Sequence, residues 1–358
     1  MGNVRRPPRP GDGPAVSRAI VESPLQLLCS VEAHAAGLTP LGLDLATRSD
    51  VPSLEAASAS LVELTLPPGV QVRAGGRLPT PPRPRGPRVV GDAFSGTAQS
   101  RLALRPPAQL IIVDDGLSTL DLVRRLTTRR PLVRTRQRSH ALRAVLGART
   151  GQQLRRFARS GRLVLFTALP LEPTVEADLR GLGVHIERNA FGWLRSRTAP
   201  PPPPEPVVVV GSGMVADQLI DPDDYVRWVQ GLAARSPIRY IPHRRNSPDV
   251  LDALRTHPGV TVDEPRGPVE IRLRGLSRTH TVRSLPSTSA LLLTTILGDG
   301  AQVRPRPVPD SWWTSAASPE LRRHLSSILE LTERARADAS RGRGDAAPRE
   351  DPSCERAP

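Results

Sequence analysis

Ile111-Ile112-Val113-Asp114-Asp115-Gly116 is an apolar run that ends abruptly in two carboxylates and a glycine. A run of this kind reads as a buried strand, and in α/β sheets ligands bind beyond the carboxyl ends of the strands. A carboxylate there, followed by a residue that lets the backbone turn sharply, is placed for proton abstraction. An ordinary Asp-Gly loop entry would use the same residues, so the reading depends on the rest of the chain.

The apolar-run pattern recurs outward in both directions. Val21-Glu-Ser-Pro-Leu-Gln26 follows an apolar stretch from Ala15 to Ile20, and Leu27 to Ala36 has an apolar helical face. Leu61 to Leu66 reads as a second strand, and the Pro-, Gly- and Arg-rich residues 67–107 as a long excursion with little regular structure. After the Asp-Asp-Gly turn come a helix from Ser118 to Leu126, a strand from Arg162 to Leu169 and a short helix from Val175 to Leu182. Pro200 to Pro204, with Pro206, is the clearest boundary, because consecutive prolines favour a stiff extended segment without sheet donors. Val207-Val-Val-Val-Gly211 then restarts the pattern. A helix from Pro222 to Ala234 (capped by Asp221), a strand from Arg239 to Ile241, a helix from Pro248 to Thr256, a strand from Val260 to Val262 and an apolar helix from Ser289 to Leu297 follow.

Alternating strands and helices on both sides of the prolines predict two α/β, Rossmann-like domains with parallel sheets facing a cleft. The expected layout is a disordered N-terminus (1–14), a first domain (15–199), a proline linker (200–206), a second domain (207–334) and a disordered tail (335–358). The length of 358 residues is ample for two cores, at roughly 150 residues per domain. Cys29 and Cys354 are too far apart in kind and position to indicate a disulfide framework or a zinc site, and no metal is expected. No apolar run reaches roughly 18 residues, and the start of the chain lacks the apolar core of a signal peptide. A cytoplasmic protein is therefore expected.

The formal charge of +15 carries less than it promises. The chain has no lysine, and Ala, Pro, Gly and Arg abound, the mark of a GC-rich coding bias. Nucleic acid is thus not the expected partner. Arg124 to Arg162 is the exception, with thirteen arginines and no acid; it could hold an anionic polymer or touch an anionic membrane surface.

In the second half, Tyr240-Ile-Pro-His243-Arg244-Arg245 sets a histidine and two arginines after a short strand, a combination able to donate to a phosphate or protonate a leaving oxygen. His257 competes but fits a plain helix-to-strand loop. Ser287, Thr288 and Ser289 open an apolar helix, where hydroxyls and backbone N–H groups make an anion site or a simple cap. Glu270 could bind a sugar hydroxyl. Gly211-Ser-Gly213 could approach a nucleotide, without the rest of a dinucleotide fingerprint.

Taken in order, these motifs resemble the bacterial polysialyltransferase and lipooligosaccharide sialyltransferase family. Ser23-Pro-Leu-Gln26 resembles its opening turn and Asp114-Asp115-Gly116 its acidic-acidic-Gly motif. Val207 to Gly211 with Tyr225 resembles the start of its nucleotide domain. His243 resembles its His-Pro motif, Glu270 its Pro-x-Glu region, and Ser287 to Ser289 its Ser-Ser motif. The resemblance implies a glycosyltransferase-B fold and metal-independent, inverting transfer from a CMP-sialic acid donor to a glycan acceptor. By the same resemblance, Asp115 or Asp114 is the general base and His243 assists departure of the phosphate. Ser287, Thr288 and Ser289 hold that phosphate, with Arg244 and Gly211 beside them, and Glu270 contacts the ribose. Two departures stand out: Arg244 occupies the place of the motif's proline, and a threonine splits the serine pair. Asp217 is a rival base. A transferase with another nucleotide-sugar donor, or a non-catalytic polyanion binder using Arg124–Arg162, are the competing readings.

Overall fold

A computed structural model describes residues 16–48, 51–73, 86–133, 141–264 and 267–341. The chain divides into two compact units. Unit 1 comprises residues 1–200 and 265–274, and unit 2 comprises 201–264 and 275–358. The expected N-terminal disorder falls outside the described residues.

Unit 1 is built on seven strands: β1 (Ser17–Val21), β2 (Leu43–Thr47), β3 (Val70–Arg73), β4 (Arg88–Val90), β5 (Leu110–Val113), β6 (Leu163–Thr167) and β7 (His185–Arg188). They pair in parallel in the order β3-β2-β1-β4-β5-β6-β7. The order reverses between β1 and β4, which is where a doubly wound sheet opens a ligand crevice. All four residues of β5 and all five of β6 are buried, as expected of central parallel strands covered on both faces. The helices are α1 (Pro24–Ala35), α2 (Pro52–Glu63), α3 (Gly96–Leu104), α4 (Leu117–Thr127), α5 (Ala141–Arg159), α6 (Pro173–Gly181) and α7 (Gly192–Ser196).

Two expectations are corrected here. Leu61 to Leu66 is not a strand. Leu54, Ala57 and Leu61 are the buried residues of α2, and their spacing of three and four is helical. The second strand is β2, whose Asp44 interrupts the apolar run that would have betrayed it. Residues 67–107 are not an irregular excursion either, since β3, β4 and α3 lie within them.

Unit 2 holds β8 (Val207–Val210), β9 (Ile238–Ile241), β10 (Val260–Val262), β11 (Thr281–Ser284) and β12 (Gln302–Pro305), parallel in the order β10-β9-β8-β11-β12. Its switch point lies between β8 and β11. Its helices are α8 (Pro222–Ala233), α9 (Pro248–Arg255), α11 (Thr288–Leu297) and α12 (Pro319–Arg341), while the short α10 (Val269–Arg272) belongs to unit 1. Seven of the ten residues of α11 are buried, so it is apolar all round, as a helix enclosed by its neighbours must be. It packs against α12, which turns Leu325, Ile328 and Leu331 inward. The tail expected to be disordered from residue 335 is helical to Arg341, and residues 342–358 lie outside the described residues.

The proline segment is tied to unit 2 rather than left as a bare linker. The Pro203 carbonyl accepts from His280 Nε2 at 3.0 Å, and the Pro206 carbonyl accepts from the Thr281 N–H at 2.8 Å. Buried Glu205 takes two bonds from Arg239, at 3.0 and 3.1 Å, and Arg239 also reaches Asp263 at 2.9 Å.

Candidate active site

The carboxyl ends of β1, β4 and β5 bring the acidic motif of unit 1 together with the Ser23 turn. Ser23 caps α1, its hydroxyl accepting from the Gln26 N–H at 3.3 Å. Gln26 in turn accepts from the Glu22 N–H at 2.8 Å, a variant of the capping box. The same Ser23 hydroxyl donates to Asp115 Oδ1 at 3.1 Å, and the Asp115 N–H donates to the Thr119 hydroxyl at 2.9 Å. Gly116 supplies the turn with φ +63° and ψ −133°, a conformation closed to residues with a Cβ. Gly91, after β4, lets Gln26 pack against the backbone; a Cβ there would lie 2.3 Å from the Gln26 side chain.

The two carboxylates have different surroundings. Asp114 is fully buried, accepting from the Thr167 hydroxyl at 2.6 Å and the Ala168 N–H at 2.7 Å. Burial pushes its pKa up to about 6 from the ordinary 3.8, against the opposing pull of those hydrogen bonds. Asp115 is half-buried at the strand's end. Asp114 is thus a structural pin between β5 and β6, and Asp115 is the carboxylate presented beyond the carboxyl end of β5.

Behind them lies Cys29, whose thiol is held well above its ordinary value, first by burial and then by the charges of Asp114, Glu32, Glu270 and Asp115. It is an inert thiol rather than a nucleophile. Glu32 accepts from the Trp193 and Leu194 N–H groups at 3.1 and 2.7 Å, satisfying the start of α7. Glu270 is buried in unit 1, whereas the sequence reading put it in the second domain. Its segment packs inward through Ile271 and Leu273, and Gly267 sits so close to α2 that a Cβ would meet Ser60 Oγ at 2.5 Å.

In unit 2, the residues expected to hold the donor lie beyond the ends of three adjacent strands, β9, β8 and β11. His243 Nδ1 lies 3.1 Å from the Arg245 backbone N–H and 3.3 Å from the Arg245 carbonyl, so either tautomer ties the ring to its own turn through Nδ1. Burial is the main cause holding the His243 pKa below its usual value, so the neutral ring prevails at neutral pH. Arg245 also pairs with Asp217, from the loop after β8, at 2.7 Å, so the rival base is engaged in an ion pair. Arg244 is exposed. Gly211 and Gly213 serve close packing by the protein itself. A Cβ on Gly211 would meet the Tyr240 hydroxyl at 2.8 Å, and one on Gly213 would meet His243 Cε1 at 2.7 Å. Ser287 caps α11, accepting from the Ala290 N–H at 3.2 Å, with Thr288 and Ser289 half-buried in the first turn.

Several of these partners were not legible beforehand. Ser23 was visible as a motif, but its bond to Asp115 spans 92 residues. The Thr167 and Ala168 contacts to Asp114 need the β5–β6 register, which no local signal provides. Among the described residues, no group of three or more His, Cys, Asp or Glu side chains could hold a metal ion. No helix among them is long and apolar enough to cross a membrane.

No protein-family model matches the chain, and no curated protein matches it by sequence. Solved structures do match by fold. A UDP-glucosyltransferase from Polygonum tinctorium capable of glucosylating indoxyl is 11% identical, with a TM-score of 0.50 over 92% of this chain and 99% of that one. Phytolacca americana UGT2, complexed with UDP-2-fluoro-glucose and pterostilbene, is 13% identical, with a TM-score of 0.49 over 93% and 96%.

Proposed function

We propose that the chain, whose two parallel-sheet α/β units have the glycosyltransferase-B fold, is an inverting glycosyltransferase that moves a sugar from a nucleotide donor to an acceptor hydroxyl. The observation that carries this reading is Asp115: a carboxylate at a strand's end, half-buried, with its backbone pinned to Thr119 and its oxygen steadied by Ser23. A base whose rotamer is fixed by such contacts loses little entropy on engaging an acceptor.

In this reading Asp115 takes the acceptor's proton as the acceptor oxygen attacks the anomeric carbon. The bond from that carbon to the donor phosphate breaks, and the phosphate leaves with the electron pair. Charge gathers on the leaving oxygen, and three features within unit 2 have the chemistry to bind a donor phosphate. The neutral His243 ring donates from Nε2 in the tautomer whose Nδ1 accepts the Arg245 N–H, the α11 N-terminus presents N–H groups and the Ser287 hydroxyl, and Arg244 adds a positive charge. Ser287 can cap and bind at once, because capping uses its oxygen as acceptor and leaves the O–H to donate.

For the donor, a UDP-sugar is favoured over CMP-sialic acid. The sialyltransferase resemblance rested partly on Glu270 as a ribose contact and on a His-Pro motif, yet Glu270 packs in unit 1 and Arg244 follows His243. The Polygonum tinctorium enzyme, which shares the fold, uses UDP-glucose chemistry by its name. Thermal-shift titration with UDP, CMP and GDP separates the donors. UDP should raise the melting temperature at the lowest concentration, and Ser287→Ala should weaken that response about tenfold, the loss of one hydrogen bond to a charged group. Preferential stabilisation by CMP would return the donor to CMP-sialic acid, and no response to any nucleotide would remove the transferase reading.

A further inference from the structure

We infer that the outer faces of α3 and α5 form a surface that lies on an anionic lipid bilayer. The inference is independent of the donor and of the reaction. At 100° per residue, Leu142, Val145, Arg149, Gln152, Arg156 and Arg159 fall within one arc of α5 about 100° wide, and all six are exposed. The opposite face, Gly147, Thr150, Gly151, Leu154, Phe157 and Ala158, is buried. Helix α5 is therefore amphipathic, but its outer stripe is apolar at the start and basic toward the end.

Helix α3 extends this surface. Gly96 lies against the Arg143 guanidinium, within 3.6 Å of a Cβ built there, and the Leu102 carbonyl accepts from Gln153 at 2.8 Å. The two helices thus run side by side in the same direction. Helix α3 and the residue after it add exposed Arg101, Leu104 and Arg105. Leu104 and Leu142 are each 80% exposed and Val145 50%, so the two leucines in particular gain little from burial in the fold. No Asp or Glu occurs in residues 93–113 or 122–171, so neither helix carries an acid of its own. Arginines beside exposed aliphatic side chains match the chemistry of an anionic membrane interface, where the cations meet headgroup phosphates and the aliphatic groups enter the acyl boundary. A nucleic acid would satisfy the arginines and leave the leucines in water.

Co-sedimentation of the full chain with phosphatidylglycerol–phosphatidylcholine vesicles tests this, with pure phosphatidylcholine vesicles and a double-stranded oligonucleotide as comparison arms. The chain should pellet with the anionic vesicles and not with the neutral ones. Arg149→Gln, Arg156→Gln and Arg159→Gln together should weaken that binding about a hundredfold, roughly fivefold per arginine, while the three corresponding lysine changes retain it. Leu142→Ser with Val145→Ser should weaken vesicle binding about tenfold and leave oligonucleotide binding unchanged. Circular dichroism melts establish that each variant is folded. No binding to anionic vesicles overturns the inference, as does binding indifferent to the arginine changes. Vesicle binding indifferent to the serine changes, with strong oligonucleotide binding, would identify the surface as a polyanion site instead.

Discussion

Asp114 and Asp115 are adjacent and chemically identical, yet the fold gives them different surroundings. Asp114 points into the sheet and is desolvated, so its carboxyl holds its proton to about pH 6, instead of the ordinary 3.8. A raised carboxyl pKa means that the folded state binds the proton more tightly than the unfolded chain does. Its contribution to stability is therefore greatest in acid and is lost as pH rises through about 6. The difference corresponds to about 3 kcal/mol against the ionised form. Urea denaturation of the native chain and of Asp114→Asn should show their stability difference shifting toward the native chain by up to that amount as pH falls from about 6 to about 4. A pH-independent difference would mean that Asp114 is ordinarily ionised. The two-carboxylate turn was legible in the sequence, but burial of the first carboxylate was not, because Thr167 and Ala168 come from a strand that only the register brings alongside.

Helices and strands carry the next level of constraint, and the glycines show it. Gly213 packs against His243, where a Cβ would sit 2.7 Å from Cε1 and 2.9 Å from Nδ1. Gly213→Ala should displace the ring from its Arg245 contact, lowering stability by about 1–2 kcal/mol and nucleotide affinity about tenfold. Gly231, inside α8, has nothing within 4 Å of an added Cβ, so Gly231→Ala should raise stability by about 0.5–1 kcal/mol and leave affinity alone. Chemical denaturation and nucleotide titration of the pair check both. Most central elements could be read from sequence, since β5, β6 and β8 are continuous apolar runs and α8 carries its Asp221 cap. The elements that escaped lack such signals. Helix α5 is rich in arginine, β7 has no buried residue, and β2 carries an aspartate in mid-strand.

At the scale of the molecule, the chain passes between its units at 200/201, 264/265 and 274/275. The first passage coincides with the proline run, which the sequence marked plainly. The other two were invisible, because residues 265–274 interrupt an otherwise regular α/β alternation without any change of composition. The proline run ends in an anchor at Glu205, clamped by Arg239 between it and Asp263. Arg239→Ala would leave a buried carboxylate without its cation, so unit 2 should lose about 3 kcal/mol. Thermal unfolding should then resolve an earlier transition for unit 2, and an unchanged melt would show that the clamp contributes nothing.

The central claim is that Asp115 acts as the base of a nucleotide-sugar transferase, and nucleotide release from a UDP-sugar in the presence of an acceptor panel tests it most directly. The native chain should release UDP. Asp115→Asn should lower release by at least about a hundredfold, the scale of general-base assistance, while UDP still raises its melting temperature as it does that of the native chain. Full activity in Asp115→Asn would contradict the assignment of the base, and absence of release from every donor by the native chain would contradict the transferase itself.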